Sequence, residues 1–141
     1  RGIRVVTDLS MDDIDLAQAD MIVLPGGMPG TTNLYADKRV TSAVRAMYDA
    51  EKYVAAICAA PSVILGGMGL LKGRRATCYP GMEDGMEGAE AVPATCVTDG
   101  KIITACGVGG ALDFACALIT ALISREKADE IALSVVYHAA N

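Results

Sequence analysis

Continuous apolar runs at two places in the chain predict buried β-strands. The first covers 21–27, "MIVLPGG", and ends in a proline and two glycines; the second covers 53–58, "YVAAIC". Short runs of this kind are typical of parallel strands that helices cover on both faces. Residues 3–8, "IRVVTD", alternate weakly between apolar and polar and predict a further strand.

Helical spacing of apolar residues predicts a helix over 38–51, with Val40, Val44 and Met47 on its buried face. A hairpin is predicted over 94–106, because it contains Asp-Gly, the strongest short-range turn signal in the chain. The other predicted elements are a short helix or loop over 11–20, helices over 61–71, 109–124 and 125–139, and a short strand over 74–79.

Alternation of strands and helices defines the predicted fold class. The apolar strands end in glycine or another small residue, which is the α/β pattern of a doubly wound, mostly parallel sheet. Neither a repeat nor a linker interrupts the pattern, so we expect residues 1–141 to form a single domain.

Composition narrows the classes of function. Of the 141 residues, 52% are hydrophobic and 21% are charged, and the net charge is −5. We therefore expect a globular protein that binds no nucleic acid, because nucleic-acid readers carry a basic face. The longest apolar runs are far shorter than the roughly 20 residues that span a bilayer, so we expect no membrane association.

The five cysteines and the single histidine bear on compartment and metal binding. The cysteines form no CxxC pair and are odd in number, which is typical of free thiols in a reducing, cytoplasmic compartment. The first residues, "RGIRVVTDLS", lack the apolar stretch of a secretory signal peptide. Without clustered ligands we expect no metal site.

Cys58 stands where a buried strand meets a predicted helix. The carboxyl ends of parallel strands face one pocket, so the tip at Gly26 and Gly27 would lie beside Cys58 if the two strands are neighbours. The helix start favours the thiolate form of a cysteine. The amides of Gly26, Gly27 and Ala59 would then stabilise an oxyanion. This is the logic of a nucleophile elbow with cysteine in place of serine.

Other interpretations of these residues stay open. Free cysteine is among the most buried residue types, so Cys58 alone could equally be a core residue. For Cys78, Cys96, Cys106 and Cys116 a packing or surface role is favoured over chemistry. The glycines of 107–110 lack both the GxGxxG spacing and a Walker lysine, so nucleotide binding is disfavoured.

The motifs "VLPGGMPG", "AAICAAPSVILGGMGLLKGRRATCYPGMEDGM" and "GVGGALDFACALI" resemble the ThiJ/PfpI superfamily. The similarity is greatest to the branch of the parkinsonism-associated deglycase and its bacterial YajL relatives. It implies a flavodoxin-like domain of the class I glutamine amidotransferase type and a homodimer. The family's elbow cysteine matches Cys58, and its oxyanion amides match Gly26, Gly27 and Ala59.

The resemblance also implies an activity that needs no cofactor. The family acts on small reactive aldehydes such as methylglyoxal or removes glycation from proteins, and the cysteine first forms a hemithioacetal. A carboxylic acid then moves a proton through an enediol to give a hydroxy acid. The alternative is an oxidative-stress thiol sensor or redox-regulated chaperone that uses the same cysteine.

The chain departs from the family pattern beside the cysteine. Many relatives carry a histidine at the position of Tyr79, which as tyrosine can donate a hydrogen bond to the substrate but is a poor base at neutral pH. A Cys–His dyad is therefore not expected, and His138 is predicted to lie in the last helix, away from the site. Ala59 follows the cysteine where peptidase relatives carry histidine, which argues against peptidase activity.

The chain also has no match for the family's first strand and first helix, which precede the segment that residues 3–8 match. That helix carries the glutamate that shuttles the proton, and no Asp or Glu of this chain matches it. The chain is thus expected to be the C-terminal part of the family domain. We expect the remaining segment to bind noncovalently as a separate chain, because a sheet without an inner strand exposes a long apolar edge.

Overall fold

A four-stranded sheet forms the centre of the computed structural model, which describes residues 3–138. In chain order the strands are β1 (Met21–Leu24), β2 (Tyr53–Ile57), β3 (Arg75–Ala76), β4 (Glu90–Ala91), β5 (Cys96–Asp99) and β6 (Ile102–Ala105). The main sheet has the order β1-β2-β6-β5, in which the first three strands are parallel and β5 is antiparallel. β3 and β4 form a separate parallel pair.

Helices follow the strands and cover both faces of the sheet. They are α1 (Gly30–Ala36), α2 (Lys38–Asp49), α3 (Ala111–Leu122) and α4 (Arg125–Ser134), together with a π-helix over Pro61–Gly66 that we call the elbow helix. α2 begins where the Asp37 side chain accepts a hydrogen bond from the Arg39 amide at 2.9 Å. Ser124 caps α4 in the same way through the Lys127 amide. The expected α/β class and mostly parallel sheet are confirmed.

The two faces of the sheet are packed unequally. The face under α2 and the elbow helix, which we call the dense face, contains 15 of the buried residues in one cluster. The face under α3, the thin face, contains four. The buried residues of the thin face are Ala55, Ile103, Ala105 and Phe114.

Most predicted elements are present. The helix over 38–51 is observed as α2, with Val40, Val44 and Met47 buried, and the hairpin over 94–106 is observed as β5 and β6. The predicted helix over 61–71 is shorter and is wound as a π-helix that ends at Gly66.

Two predictions of secondary structure were wrong. Residues 3–8 contain no strand, and Ile3, Val5 and Val6 are more than 80% exposed, because no neighbouring strand pairs with them in the described part of the chain. The last helix ends at Ser134 instead of continuing to 138, and Val136 has a φ of 57° that no α-helix accommodates. Residue 139 of that prediction lies outside the described residues.

Across residues 3–138, the helices are all too short or too polar to cross a membrane.

Candidate active site

The parallel register brings three strand ends to one edge of the sheet. Leu24 of β1 pairs with Ala56 of β2, and Ile57 of β2 pairs with Ala105 of β6. Cys58 follows directly, and its amide donates to the Ala105 carbonyl at 2.9 Å. β1 and β2 are therefore neighbours, the condition under which the sequence places Cys58 beside the glycine tip.

Cys58 has a left-handed backbone conformation, with a φ of 65°. Few residues other than glycine adopt this conformation, and the surrounding structure must hold them in it. Here the backbone is held at both ends: the amide donates to Ala105, and the carbonyl accepts from the Tyr79 amide at 2.8 Å. The thiol is partly exposed at the sheet edge. This is the sharp strand-to-helix turn expected of a nucleophile elbow.

Gly26 is required for the close approach of the β1 tip to the elbow. A Cβ at Gly26 would lie 2.4 Å from the Cβ of Cys58 and 2.7 Å from the Ile57 carbonyl oxygen. Gly27 is required for a different reason, since its φ is 89° while a Cβ there would meet no atom within 4 Å. Its carbonyl accepts from the amide and hydroxyl of Thr31, at 2.8 and 2.9 Å, which ties the tip to α1.

Amide groups are available around the thiol. In the described part of the chain, no backbone carbonyl accepts a hydrogen bond from the amides of Gly26, Gly27 or Ala59. Unpaired amides beside a nucleophile are the donors from which oxyanion sites are built. The structure brings Gly26 and Ala59 to Cys58, while the oxyanion role of the three amides stays a prediction.

Tyr79 contacts the elbow through its backbone. Its amide donates to the Cys58 carbonyl, whereas its ring lies near Gly107, where a Cβ on that glycine would be 3.6 Å from the ring atom Cδ2. The side chain is 52% exposed. The side-chain role predicted for Tyr79 in substrate binding stays a prediction.

Hydrogen bonds of the elbow helix and of the residue that follows it hold the segments on either side of Cys58. The Tyr35 hydroxyl on α1 donates to the Gly67 carbonyl at 2.9 Å. On the other side the Ser62 hydroxyl donates to the Met82 carbonyl at 2.7 Å. Sequence reasoning missed these contacts, because they join residues 20 and 32 positions apart.

The remaining thiols lie in different surroundings. Burial raises the pKa of Cys78 to about 11, and Glu83 and Cys58 add to the effect. Burial also raises the pKa of Cys96 to about 11, with a contribution from Asp113. Both thiols stay protonated at neutral pH and are poor nucleophiles, in agreement with the packing role favoured for them.

His138 does not reach the elbow. It lies beyond α4 and lines a groove of about 990 Å³ between β5, α3 and α4, whose lining does not include Cys58. Over the described residues 3–138, no three His, Cys, Asp or Glu side chains are placed to hold a metal ion together. The candidate site therefore rests on the Cys58 thiol, the backbone amides beside it and the segment that starts at Tyr79.

Comparison with known proteins identifies relatives of this arrangement. Residues 1–121 match the model of the DJ-1/PfpI family. Protein DJ-1 homolog A of Arabidopsis thaliana is 39% identical over 138 residues, which are 92% of this chain and 34% of that protein. A protein named as a deglycase from Pyrococcus horikoshii is 37% identical over 106 residues, 73% of this chain and 62% of that protein.

A solved structure shows the same fold. The structure titled Toxoplasma gondii DJ-1, oxidized, superimposes with a TM-score of 0.90 at 32% identity and covers 96% of this chain and 74% of that one. Of its relatives' own lengths, the chain spans 34% of the Arabidopsis protein and 62% of the Pyrococcus protein.

Proposed function

The chain belongs to the DJ-1/PfpI family, and we propose that it forms the thiol-bearing part of a cysteine-dependent glyoxalase or protein deglycase. The substrate class is methylglyoxal-type aldehydes, either free or as their adducts on proteins. No cofactor is invoked. Relatives that carry the name deglycase support this reading at the level of the family.

The left-handed elbow at Cys58 is the observation that carries the proposal. It presents a partly exposed thiol at the edge where the Gly26 tip approaches within contact distance. A structural cysteine would not require a strained backbone held by two hydrogen bonds. Strain of this kind concentrates at functional sites, where it presents a side chain for reaction.

Thiolate addition to the aldehyde carbon is the first step proposed. It forms a C–S bond and converts the carbonyl oxygen to an oxyanion, which the amides of Gly26, Gly27 and Ala59 stabilise before it takes up a proton. In the hemithioacetal of methylglyoxal, the proton on the former aldehyde carbon moves through an enediol to the neighbouring carbon. Water then cleaves the C–S bond to release lactate and the thiol.

A carboxylic acid is needed for the proton transfer, and the resemblance locates it on a strand-helix segment outside this chain. We propose that this segment is a separate chain that pairs with the free edge of β1 and lies against the thin face. In the described structure β1 pairs with β2 alone, and Val23 on β1 is 45% exposed. A homodimer of the completed domain is proposed on the same resemblance. A cytoplasmic location is proposed from the cysteines, since five free thiols are typical of a reducing compartment.

Intact mass under denaturing conditions tests for this second chain. A polypeptide of the size of a strand-helix-strand unit beside the 14.6 kDa chain would support the proposal. The 14.6 kDa species alone, in a sample that nevertheless turns over methylglyoxal, would overturn it.

Lactate formation from methylglyoxal tests the function itself. With the complete protein, Cys58→Ala should lower kcat/KM at least about 100-fold, because the nucleophile is lost. Cys116→Ala, a thiol on α3, is the matched control and should stay within about twofold of the wild type. Equal turnover by Cys58→Ala and the wild type would refute the proposal. Consumption of one peroxide per thiol without product would instead favour the redox sensor.

A further inference from the structure

We propose that Ser62 is a positioning residue for Cys58, an inference that rests on the proposed function for its catalytic readout. Its hydroxyl fixes the segment over 79–86, which we call the flanking loop, against the elbow helix. The loop in turn holds the Tyr79 amide on the Cys58 carbonyl. Ser62 does not touch the substrate in this scheme and acts through the backbone of the loop.

The hydrogen bond from Ser62 to the loop is buried. Ser62 is 4% exposed, and its hydroxyl donates to the Met82 carbonyl at 2.7 Å. The same carbonyl accepts from the Gly85 amide at 3.2 Å, which closes a turn inside the loop. Loss of the Ser62 hydroxyl would remove the shorter of these two bonds. The Met82 carbonyl would then be left under-satisfied in a part-buried place, which favours movement of the loop.

Two glycines allow the flanking loop to pack closely against Ser62 and the elbow helix. A Cβ on Gly85 would lie 2.1 Å from the Ser62 hydroxyl oxygen, and a Cβ on Gly66 would lie 2.0 Å from the Gly85 carbonyl oxygen. Backbone therefore packs directly on backbone between the elbow helix and the loop. Contacts this close define position more sharply than side-chain packing does, because no rotamer change can relieve them.

The loop transmits this position to the elbow over a short distance. The Met82 amide donates to the Tyr79 carbonyl at 3.1 Å, so the two residues belong to one turn. The Tyr79 amide donates to Cys58 at 2.8 Å. Ser62 lies on the elbow helix, four positions after Cys58. The contacts from Ser62 to Met82, from Met82 to Tyr79 and from Tyr79 back to Cys58 therefore form a closed ring. A left-handed Cys58 needs such a ring, since its conformation is disfavoured by itself.

Variants at Ser62 test the inference. Ser62→Ala should lower kcat for methylglyoxal about tenfold or more with KM within about twofold, because the thiol is displaced while binding is retained. Ser62→Thr keeps the hydroxyl and should restore most of kcat. Amide hydrogen exchange gives a readout without turnover: the Tyr79 amide should exchange about tenfold faster in Ser62→Ala, and the Val54 amide in β2 should not change.

Val44→Ala is the control for loss of stability. Val44 lies on α2, where its truncation leaves a cavity in the dense face, and it makes none of the hydrogen bonds that hold the flanking loop. An equal fall in kcat in Val44→Ala and Ser62→Ala would overturn the inference, as would unchanged Tyr79 exchange in Ser62→Ala. Absence of turnover in the wild type would refute the proposed function alone, because the exchange experiment decides on Ser62 separately.

Discussion

The dense and thin faces of the sheet differ in what they bury and in what they carry. The dense face buries 15 residues in one cluster beneath α2 and the elbow helix, and the thin face buries four beneath α3. The elbow helix follows Cys58 closely on the dense side and holds the flanking loop through Ser62, while Gly67 just beyond the helix holds α1 through Tyr35. The thin side leaves apolar side chains exposed: Val23, Leu112 and Leu122 are each 45–50% exposed.

This difference in packing indicates which face must hold a functional group in a fixed position. A strained thiol requires surroundings that do not relax, and close-packed interiors resist displacement. The thin face has no such task among the described residues, and its exposed apolar area fits the proposal that a further segment covers it.

Truncation of a buried side chain on each face gives the largest contrast. Met47→Ala, in the dense face, should lower the free energy of unfolding by about 2–5 kcal/mol, because Met47 is 1% exposed and leaves a cavity. Leu118→Ala, on the half-buried side of α3, should cost about 1 kcal/mol, because little area is lost from the core. Urea unfolding measures both. Equal costs would contradict the assignment of a dense and a thin face.

A methyl group added at the glycine tip should have the next largest effect. Gly26→Ala places a Cβ 2.4 Å from that of Cys58 and should cost about 1–3 kcal/mol of stability through overpacking. It should also slow alkylation of Cys58, since the tip or the elbow must shift. Gly30→Ala is the control, because a Cβ there meets no atom within 4 Å. Thermal unfolding and peptide mapping after iodoacetamide treatment distinguish the two variants.

Acid should weaken the cap of α2 on the dense face. The side-chain hydrogen bond from Arg39 lowers the pKa of Asp37 to about 2, below its ordinary value of 3.8. Stability from this carboxylate is therefore present above about pH 4 and is lost as the pH falls toward 2. The difference in Tm between the wild type and Asp37→Asn should shrink over that range. A constant difference would show that the charge of Asp37 does not contribute.

Alkaline pH should reduce stability on the thin face, and this is the smallest of the expected effects. The hydrogen bond to Asp113 raises the pKa of the Tyr137 hydroxyl to about 12, from 10.0. Stability from this pair is present below about pH 10 and is lost as the pH rises through 12. Tyr137→Phe should remove this loss of stability at alkaline pH. Phenolate absorbance should then show one fewer tyrosine with a raised pKa. If as many tyrosines show a raised pKa in this variant as in the wild type, the raised pKa does not belong to Tyr137.

The sequence predicted those features that local pattern determines. Apolar runs located β1 and β2, Asp99-Gly100 located the hairpin, and the position of Cys58 at a strand end located the elbow. The strand expected over 3–8 failed because a strand forms only where a neighbour accepts its hydrogen bonds, which periodicity does not report. The interlock of Ser62, Gly66 and Gly85 could not be predicted, because those residues meet only after the loop folds back.

At position 79 the backbone and the side chain have separate roles, because the hydrogen bond to the Cys58 carbonyl comes from the Tyr79 amide. The amide holds the elbow, and every residue except proline supplies an amide. The ring is half exposed and contributes nothing to the dense core, so the side chain at 79 can be exchanged while the elbow keeps its shape. The chemistry of the side chain at 79 can therefore be changed independently of the elbow: Tyr79→His would replace the phenol with an ionisable imidazole and would keep the amide hydrogen bond to Cys58.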